Sequence, residues 1–251
     1  MENLIGKVAV VTGGARDIGK AISISLAKAG VKVVVNYFNS ELYGKETVLE
    51  IEKTGGTAVA IYADVTKQVD IDAMVKTTLD HFGPKIDILV NVAGGLFARK
   101  SIEEMDENFY NLVMDVNLKS VFLVTKAIKP HMEKGGAIIN FASQAGRDGG
   151  GPGAAIYAAS KGAVITYTRA LAKEFGPQGI RVNALCPGMI ATKFHDDFTQ
   201  DEVREKVAGS TPLRREGEDD EVADLVVYLA SDQSSFITGN NIDINGGLVF
   251  S

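Results

Sequence analysis

Only one of the chain's 251 residues is cysteine, Cys186, which excludes an intrachain disulfide framework and leaves no Cys set for a structural zinc site. A reducing compartment suits such a chain. Proline occurs only 6 times and no Gly-X-Y period is present, so neither a fibrous nor a Pro-rich disordered class applies. Nowhere do about 18 apolar residues run together, so no helix is expected to span a bilayer. The stretch Met1 to Lys7 passes directly into a short apolar run without the basic region and long apolar core of a secretory leader, and the reading is cytoplasmic. Positive charge is also scarce. With Lys+Arg 26 against Asp+Glu 32 the net charge is −6, whereas a nucleic-acid partner requires clustered basic residues, so none is expected. What is plentiful is glycine, 27 residues or about 11% against a usual share near 7%, and these must occupy particular turns.

Val8 to Thr12 is a short β-branched run ended by Gly13 and Gly14, after which Ile18, Ile22, Leu26 and Ala29 recur at helical spacing. The run from Val31 to Asn36, apolar but for Lys32, reads as a strand buried on both faces, followed by a polar helical stretch from about Glu41 to Thr54. The alternation continues, with strands expected at about 57–63, 86–91, 136–142, 180–185 and 240–244. Helical patterns fall at about 68–82, 104–128, 156–175 and 218–231. Strand and helix alternating throughout imply one α/β domain over 1–251, a Rossmann-like doubly wound parallel sheet of about seven strands with helices on both faces. The charged segment at about 190–217 has no strand pattern and is a candidate substrate lid, because ligands of such folds bind beyond the carboxyl ends of the strands.

Two local features carry chemistry. The turn Gly13, Gly14, Ala15, Arg16, Asp17, Ile18, Gly19 joins the first strand to its helix, where a dinucleotide pyrophosphate would meet free helical N–H groups, although its spacing is not G-x-G-x-x-G. At the end of the second strand stands Asn36 in place of a carboxylate that would accept from the ribose of NAD. With Arg16 able to face a phosphate, the electrostatics favour NADP(H), NAD(H) remaining possible. The second feature is Tyr157 and Lys161, four residues apart on one helical face, with Ser143 ending the apolar run before them. A phenol is a poor acid/base at neutral pH. A nearby ammonium and an oxidised nicotinamide would favour the phenolate, and a hydroxyl at a strand end can hydrogen-bond a carbonyl oxygen.

Together these residues resemble the short-chain dehydrogenase/reductase family over essentially the whole chain. Thr12, Gly13, Ile18 and Gly19 look like its T-G-x-x-x-G-x-G turn, Asp64 and Val65 like its adenine contact, and Asn91, Val92, Ala93 and Gly94 like its N-N-A-G. Tyr157 and Lys161 match its Y-x-x-x-K, Asn117 and Ser143 fall at its catalytic asparagine and serine, and Pro187, Gly188, Ile190 and Thr192 look like its P-G-x-[IV]-x-T. The resemblance implies an NAD(P)-dependent oxidoreductase in which Tyr157 exchanges a proton with the substrate oxygen while hydride passes to or from the nicotinamide. It likewise implies that Lys161 lowers the tyrosine pKa and binds the nicotinamide ribose, that Ser143 polarises the substrate oxygen, and that Asn117 holds a relay water. The chain departs from the pattern in three places: Asp17 replaces the middle glycine, Val92 replaces the second asparagine, and Gly149 to Gly153 is unusually glycine-rich.

Within the family, Asn36-Tyr37, the stretch Pro212 to Arg215 and the stretch Ser235 to Gly239 look most like the 3-oxoacyl-[acyl-carrier-protein] reductase branch. That branch implies an acyl-thioester substrate and an acidic acyl carrier protein as partner, with Lys129 and Lys173 roughly at its carrier-contacting positions. A sugar, polyol or small-ketone dehydrogenase/reductase of the same family is the alternative, and a cofactor-binding sensor without turnover is the alternative of another class. The family commonly forms homotetramers, and Ala158, Ala159, Gly162 and Ala163 would permit close helix packing between subunits.

Overall fold

A computed structural model describes residues 2–193 and 199–250. Seven strands form one sheet: β1 (Val8–Thr12), β2 (Lys32–Tyr37), β3 (Thr57–Tyr62), β4 (Ile88–Asn91), β5 (Ala137–Phe141), β6 (Arg181–Pro187) and β7 (Asn241–Ile244). All neighbours pair in parallel, in the order β3-β2-β1-β4-β5-β6-β7. The order reverses between β1 and β4, which opens a crevice at their carboxyl ends, the place where such sheets bind ligands.

Alternation along the strands builds two cores. Ala9, Val11, Val33, Val35, Val90 and Ile139 face one layer, where α1 (Asp17–Lys28) supplies Ile22 and Leu26 and α2 (Glu41–Lys53) supplies Ile51. Val10, Val34, Leu89 and Ile138 face the other, where α3 (Gln68–Phe82), α5 (Ser120–Ile128) and α7 (Ala155–Phe175) supply Ile71, Met74, Val124, Ile128 and Phe175. Each fully buried aliphatic side chain contributes roughly 1.5–3 kcal/mol by leaving water, so the sheet rather than helix propensity holds the helices in place.

The helical pattern expected at about 104–128 is not one helix. It begins as α4 (Glu107–Met114), capped by Asp106 accepting from Phe109 N–H at 2.7 Å, widens into a π turn over Asp115–Lys119, and resumes as α5. An i→i+5 turn leaves the apolar period nearly intact, so it has no signature in sequence, yet such turns recur at functional sites. The short α6 (Ala145–Asp148) follows β5. The segment at about 190–217 contains a helix that the polar sequence conceals, α8 (Asp201–Ser210), none of whose residues is buried. Its stem closes where Ile190 bridges Gly217. The last helix, α9 (Asp219–Ala230), carries a reciprocal Glu218–Glu221 capping box and packs on the α1 side. Among the described residues no helix is long and apolar enough to cross a membrane.

Candidate active site

A cleft of about 920 Å³ runs along the carboxyl ends of the strands from Asn36 and Tyr43 to Ser143 and Tyr157. At its centre lies the turn between β1 and α1. Gly13 takes φ +64° and a side chain there would press on the backbone of Ala93, while a Cβ at Gly19 would fall 2.1 Å from the Gly13 carbonyl oxygen. Only glycine lets these strands of backbone approach so closely. Arg16 is the N-cap of α1 and makes no side-chain cap, so the first N–H groups of this helix have no capping side chain where they face the cleft. These features fit a dinucleotide pyrophosphate. Asp17 adopts the left-handed backbone, φ +50°, that the usual glycine would adopt, as a small polar residue can. Its Oδ1 accepts from Lys193 N–H at 3.2 Å and its Oδ2 lies 3.7 Å from Arg16 Nε, tying the phosphate turn to the start of the 190–217 segment.

The tyrosine end is built from β5, α5 and α7. Lys161 Nζ donates to the Phe141 carbonyl at 2.8 Å and lies 5.8 Å from the Tyr157 ring centroid. Ser143, just past β5, accepts from Ala145 N–H at 3.1 Å and is hydrogen-bonded to the Tyr157 hydroxyl. Burial raises the Tyr157 phenol above its ordinary value, partly offset by the Ser143 hydrogen bond, and burial lowers Lys161 to about 8, with Cys186 working in the opposite sense. Both shifts have loss of water as their largest cause, which disfavours the phenolate and the ammonium alike.

Most of the residues anticipated from sequence line the cleft: Gly13, Arg16, Asp17, Ile18, Gly19, Asn36, Asp64, Val65, Ala93, Gly94, Ser143, Tyr157, Lys161, Pro187, Gly188, Ile190 and Thr192. Asn91 does not. Its amide donates to Asn140 Oδ1 at 2.9 Å and Thr125 Oγ1 at 3.3 Å, and Asn140 in turn donates to Thr168, so Asn91 joins β4 to β5 and the helix layer. Asn36 reaches the cleft wall, but its side chain is engaged below it, accepting from Gly13 N–H at 3.1 Å and donating to the Ala63 carbonyl at 3.1 Å. It secures the glycine turn, and the mostly exposed Arg16 lines the same cleft. Asn117 is fully buried in the π turn, donating to the carbonyls of Gly95 and Val113 and accepting from Gly95 N–H at 3.0 Å. It anchors the loop after β4 directly, and both Asn117 and Lys161 crowd Gly94, where a Cβ would stand 2.8 Å from Asn117 Oδ1 and 3.0 Å from Lys161 Nζ. Val92, the other departure, packs against the core, and the loop behind it hangs on Thr12 Oγ1, which accepts from the N–H groups of Val92 and Ala93.

Lys129 and Lys173 are not at this cleft. Lys129 stacks over Phe175, 5.4 Å from its centroid, beside the His131 carbonyl that receives Ile86 N–H, which is the amino-terminal end of the sheet. The small-residue face of α7 also divides: Gly162 lies against Gly146 of α6 within the chain, while Ala159 is exposed. Sequence reasoning missed Leu96, Phe97, Arg99, Leu112 and Val116, which wall the cleft beyond Tyr157. The signal for Leu96, Phe97 and Arg99 was their place on a loop following a strand, whereas Leu112 in α4 and Val116 in the π turn fall inside a stretch read as one helix.

A protein-family model described as Enoyl-(Acyl carrier protein) reductase matches residues 13–249. A 3-oxoacyl-[acyl-carrier-protein] reductase of Synechocystis sp. is 42% identical over 256 residues, spanning 99% of this chain and 99% of that protein. The 3-oxoacyl-[acyl-carrier-protein] reductase FabG of Staphylococcus aureus is 39% identical over 96% of this chain and 98% of its own length. Among solved structures, a short-chain dehydrogenase/reductase from Serratia marcescens superposes with TM-score 0.92 at 35% identity, covering 98% of both chains. A blue fluorescent protein from a metagenomic library in complex with NADPH gives TM-score 0.92 at 34% identity, covering 99% of this chain and 100% of that one.

Proposed function

Because the chain belongs to the short-chain dehydrogenase/reductase family and is therefore an NAD(P)-dependent oxidoreductase, we propose that it reduces a carbonyl to a secondary alcohol with NADP(H), Tyr157 being the proton donor. The observation that carries this reading is the convergence of Tyr157, Ser143 and Lys161 in one cleft with the glycine-cradled start of α1. Bound there, the dinucleotide supplies the hydride. The NADPH complex of a neighbour and the absence of a carboxylate at Asn36, with Arg16 nearby, support the phosphorylated form over NAD(H). Ser143 orients the carbonyl oxygen toward the Tyr157 hydroxyl and, by hydrogen-bonding it, works against the burial that opposes release of the proton. Lys161, fixed by the Phe141 carbonyl beneath the ring, stabilises the phenolate left behind.

The relatives named for 3-oxoacyl-[acyl-carrier-protein] support a 3-oxoacyl thioester as the substrate, delivered by an acyl carrier protein. One observation favours the second reading, a small free ketone or sugar: exposed Glu103, Glu104, Asp106 and Glu107 follow the cleft loop, where an acidic carrier would be repelled. Homotetramer formation belongs to the same proposal, supported by the exposed Tyr110, Leu112 and Phe122 on the α4–α5 side. The test is NADPH oxidation with 3-oxobutyryl thioester on carrier protein, the same thioester on N-acetylcysteamine, and a panel of ketones and sugars. Turnover of the thioesters supports the first reading. Turnover of the panel alone transfers the assignment to the second, and NADPH binding with no turnover of any would make the protein a sensor.

A further inference from the structure

The loop after β4 makes an unusual turn at the cleft. Ala98 N–H donates to the Leu96 carbonyl at 2.8 Å, two residues back, and the residue between them, Phe97, has φ +65°. This is the γ-turn with a left-handed centre, a strained conformation in which glycine or asparagine is expected and a bulky aromatic is an outlier. The strain persists only because both flanks are held. On one side Leu96 is buried and Asn117 clasps Gly95. On the other, Arg99 donates to the Pro152 carbonyl at 3.0 Å and Lys100 N–H to the Gly153 carbonyl at 3.1 Å. This explains a glycine: Gly153 has φ +77°, and a Cβ there would stand 2.9 Å from both Arg99 Cβ and Lys100 N.

The consequence is the position of the ring. Turned back by the γ-turn, it lies over Gly95, where a Cβ would be 3.3 Å from Phe97 Cζ, and it lines the same cleft as Ser143 and Tyr157 while remaining 37% exposed at the rim. The geometry points to Phe97 as the residue that limits the length of the substrate chain beyond the reacting carbonyl, so that short 3-oxoacyl groups are accepted and long ones are stopped by the ring. This assignment rests on the carbonyl-reductase reading of the site.

The experiment compares NADPH-dependent reduction of 3-oxobutyryl and 3-oxodecanoyl thioesters of N-acetylcysteamine by the wild type, Phe97→Asn and Phe97→Gly. Both substitutions suit a left-handed residue, so the fold is retained, which an unchanged NADPH affinity checks. The wild type prefers the short thioester, and both variants raise the long-to-short ratio of kcat/KM by about tenfold or more, the least that a single obstructed methylene is worth in an apolar pocket. Calorimetric binding of the corresponding 3-hydroxyacyl thioesters to the protein with NADP+ reads the same limit without turnover. A length limit relieved in binding, with no turnover by any form, retains the role of Phe97 while removing the reductase reading. An unchanged ratio in both variants, or a wild type that discriminates by length in neither assay, overturns the assignment.

Discussion

At the scale of single residues, the site is governed by burial more than by charge. Lys161 is nearly inaccessible and its ammonium is lowered to about 8, whereas in the unfolded chain it titrates near 10.5. Below pH 8 both states carry the proton and the folded state bears the desolvation cost. Between about 8 and 10.5 the unfolded chain binds the additional proton, so this group makes stability rise with pH in that window. Denaturant unfolding of the ligand-free protein from pH 7 to 10.5 should show a less positive slope for Lys161→Met than for the wild type; identical slopes would remove the buried ammonium from the account. Arg16 acts at the other end of the cleft. With its side chain mostly exposed and only a loose pairing to Asp17, it has the reach to meet a ribose phosphate. Fluorescence titration of Arg16→Ala should therefore give NADPH binding weakened about tenfold with NADH binding unchanged, the loss of one charge-assisted contact. Equal weakening of both dinucleotides would mean that Arg16 senses the pyrophosphate instead.

At the scale of elements, two glycine-dependent turns divide the labour. Alanine at Gly19 would drive a methyl group into the Gly13 carbonyl and spoil the phosphate turn, so Gly19→Ala should abolish measurable NADPH binding in the affinity range of the wild type. Gly153→Ala should leave NADPH binding intact and raise the KM for the carbonyl, because a Cβ at Gly153 would press on Arg99 and Lys100 in the loop after β4 rather than on the phosphate turn. A cofactor defect in Gly153→Ala would contradict this division. The strands were legible in sequence because a parallel strand buried on both faces is a continuous apolar run, as in Val8 to Thr12 and Lys32 to Tyr37. Helices α1, α3 and α7 were legible from their apolar period. The π turn at Asp115–Lys119 was not, since it barely disturbs that period, and α8 was not, since it buries nothing that would impose one. The partner of the Gly149 to Gly153 loop lies some fifty residues away, at Arg99, in a relation that exists only after folding.

At the scale of the whole molecule, the strand order places every chemical group at one end of the sheet and leaves the other end to structure. Thr12, Asn91, Ser143 and Pro187 all follow or end parallel strands, yet only those whose side chains or backbone turn outward reach the cleft. Asn91, Asn140 and Thr168 fasten the central strands beneath it, and Arg147 pairs with Asp243 at 2.6 Å to fasten α6 to β7. The side chains of Asn36 and Asn117 both hold backbone beside the cleft, Asn36 at Gly13 and Asn117 at Gly95. On the proposed reading Tyr157, hydrogen-bonded to Ser143, donates the proton in carbonyl reduction. Its most direct test is turnover of 3-oxobutyryl thioester with NADPH by wild type and Tyr157→Phe, alongside NADPH binding by both. A fall of about 100-fold or more in kcat with unchanged NADPH affinity is the predicted result, and near-normal kcat in Tyr157→Phe would contradict it.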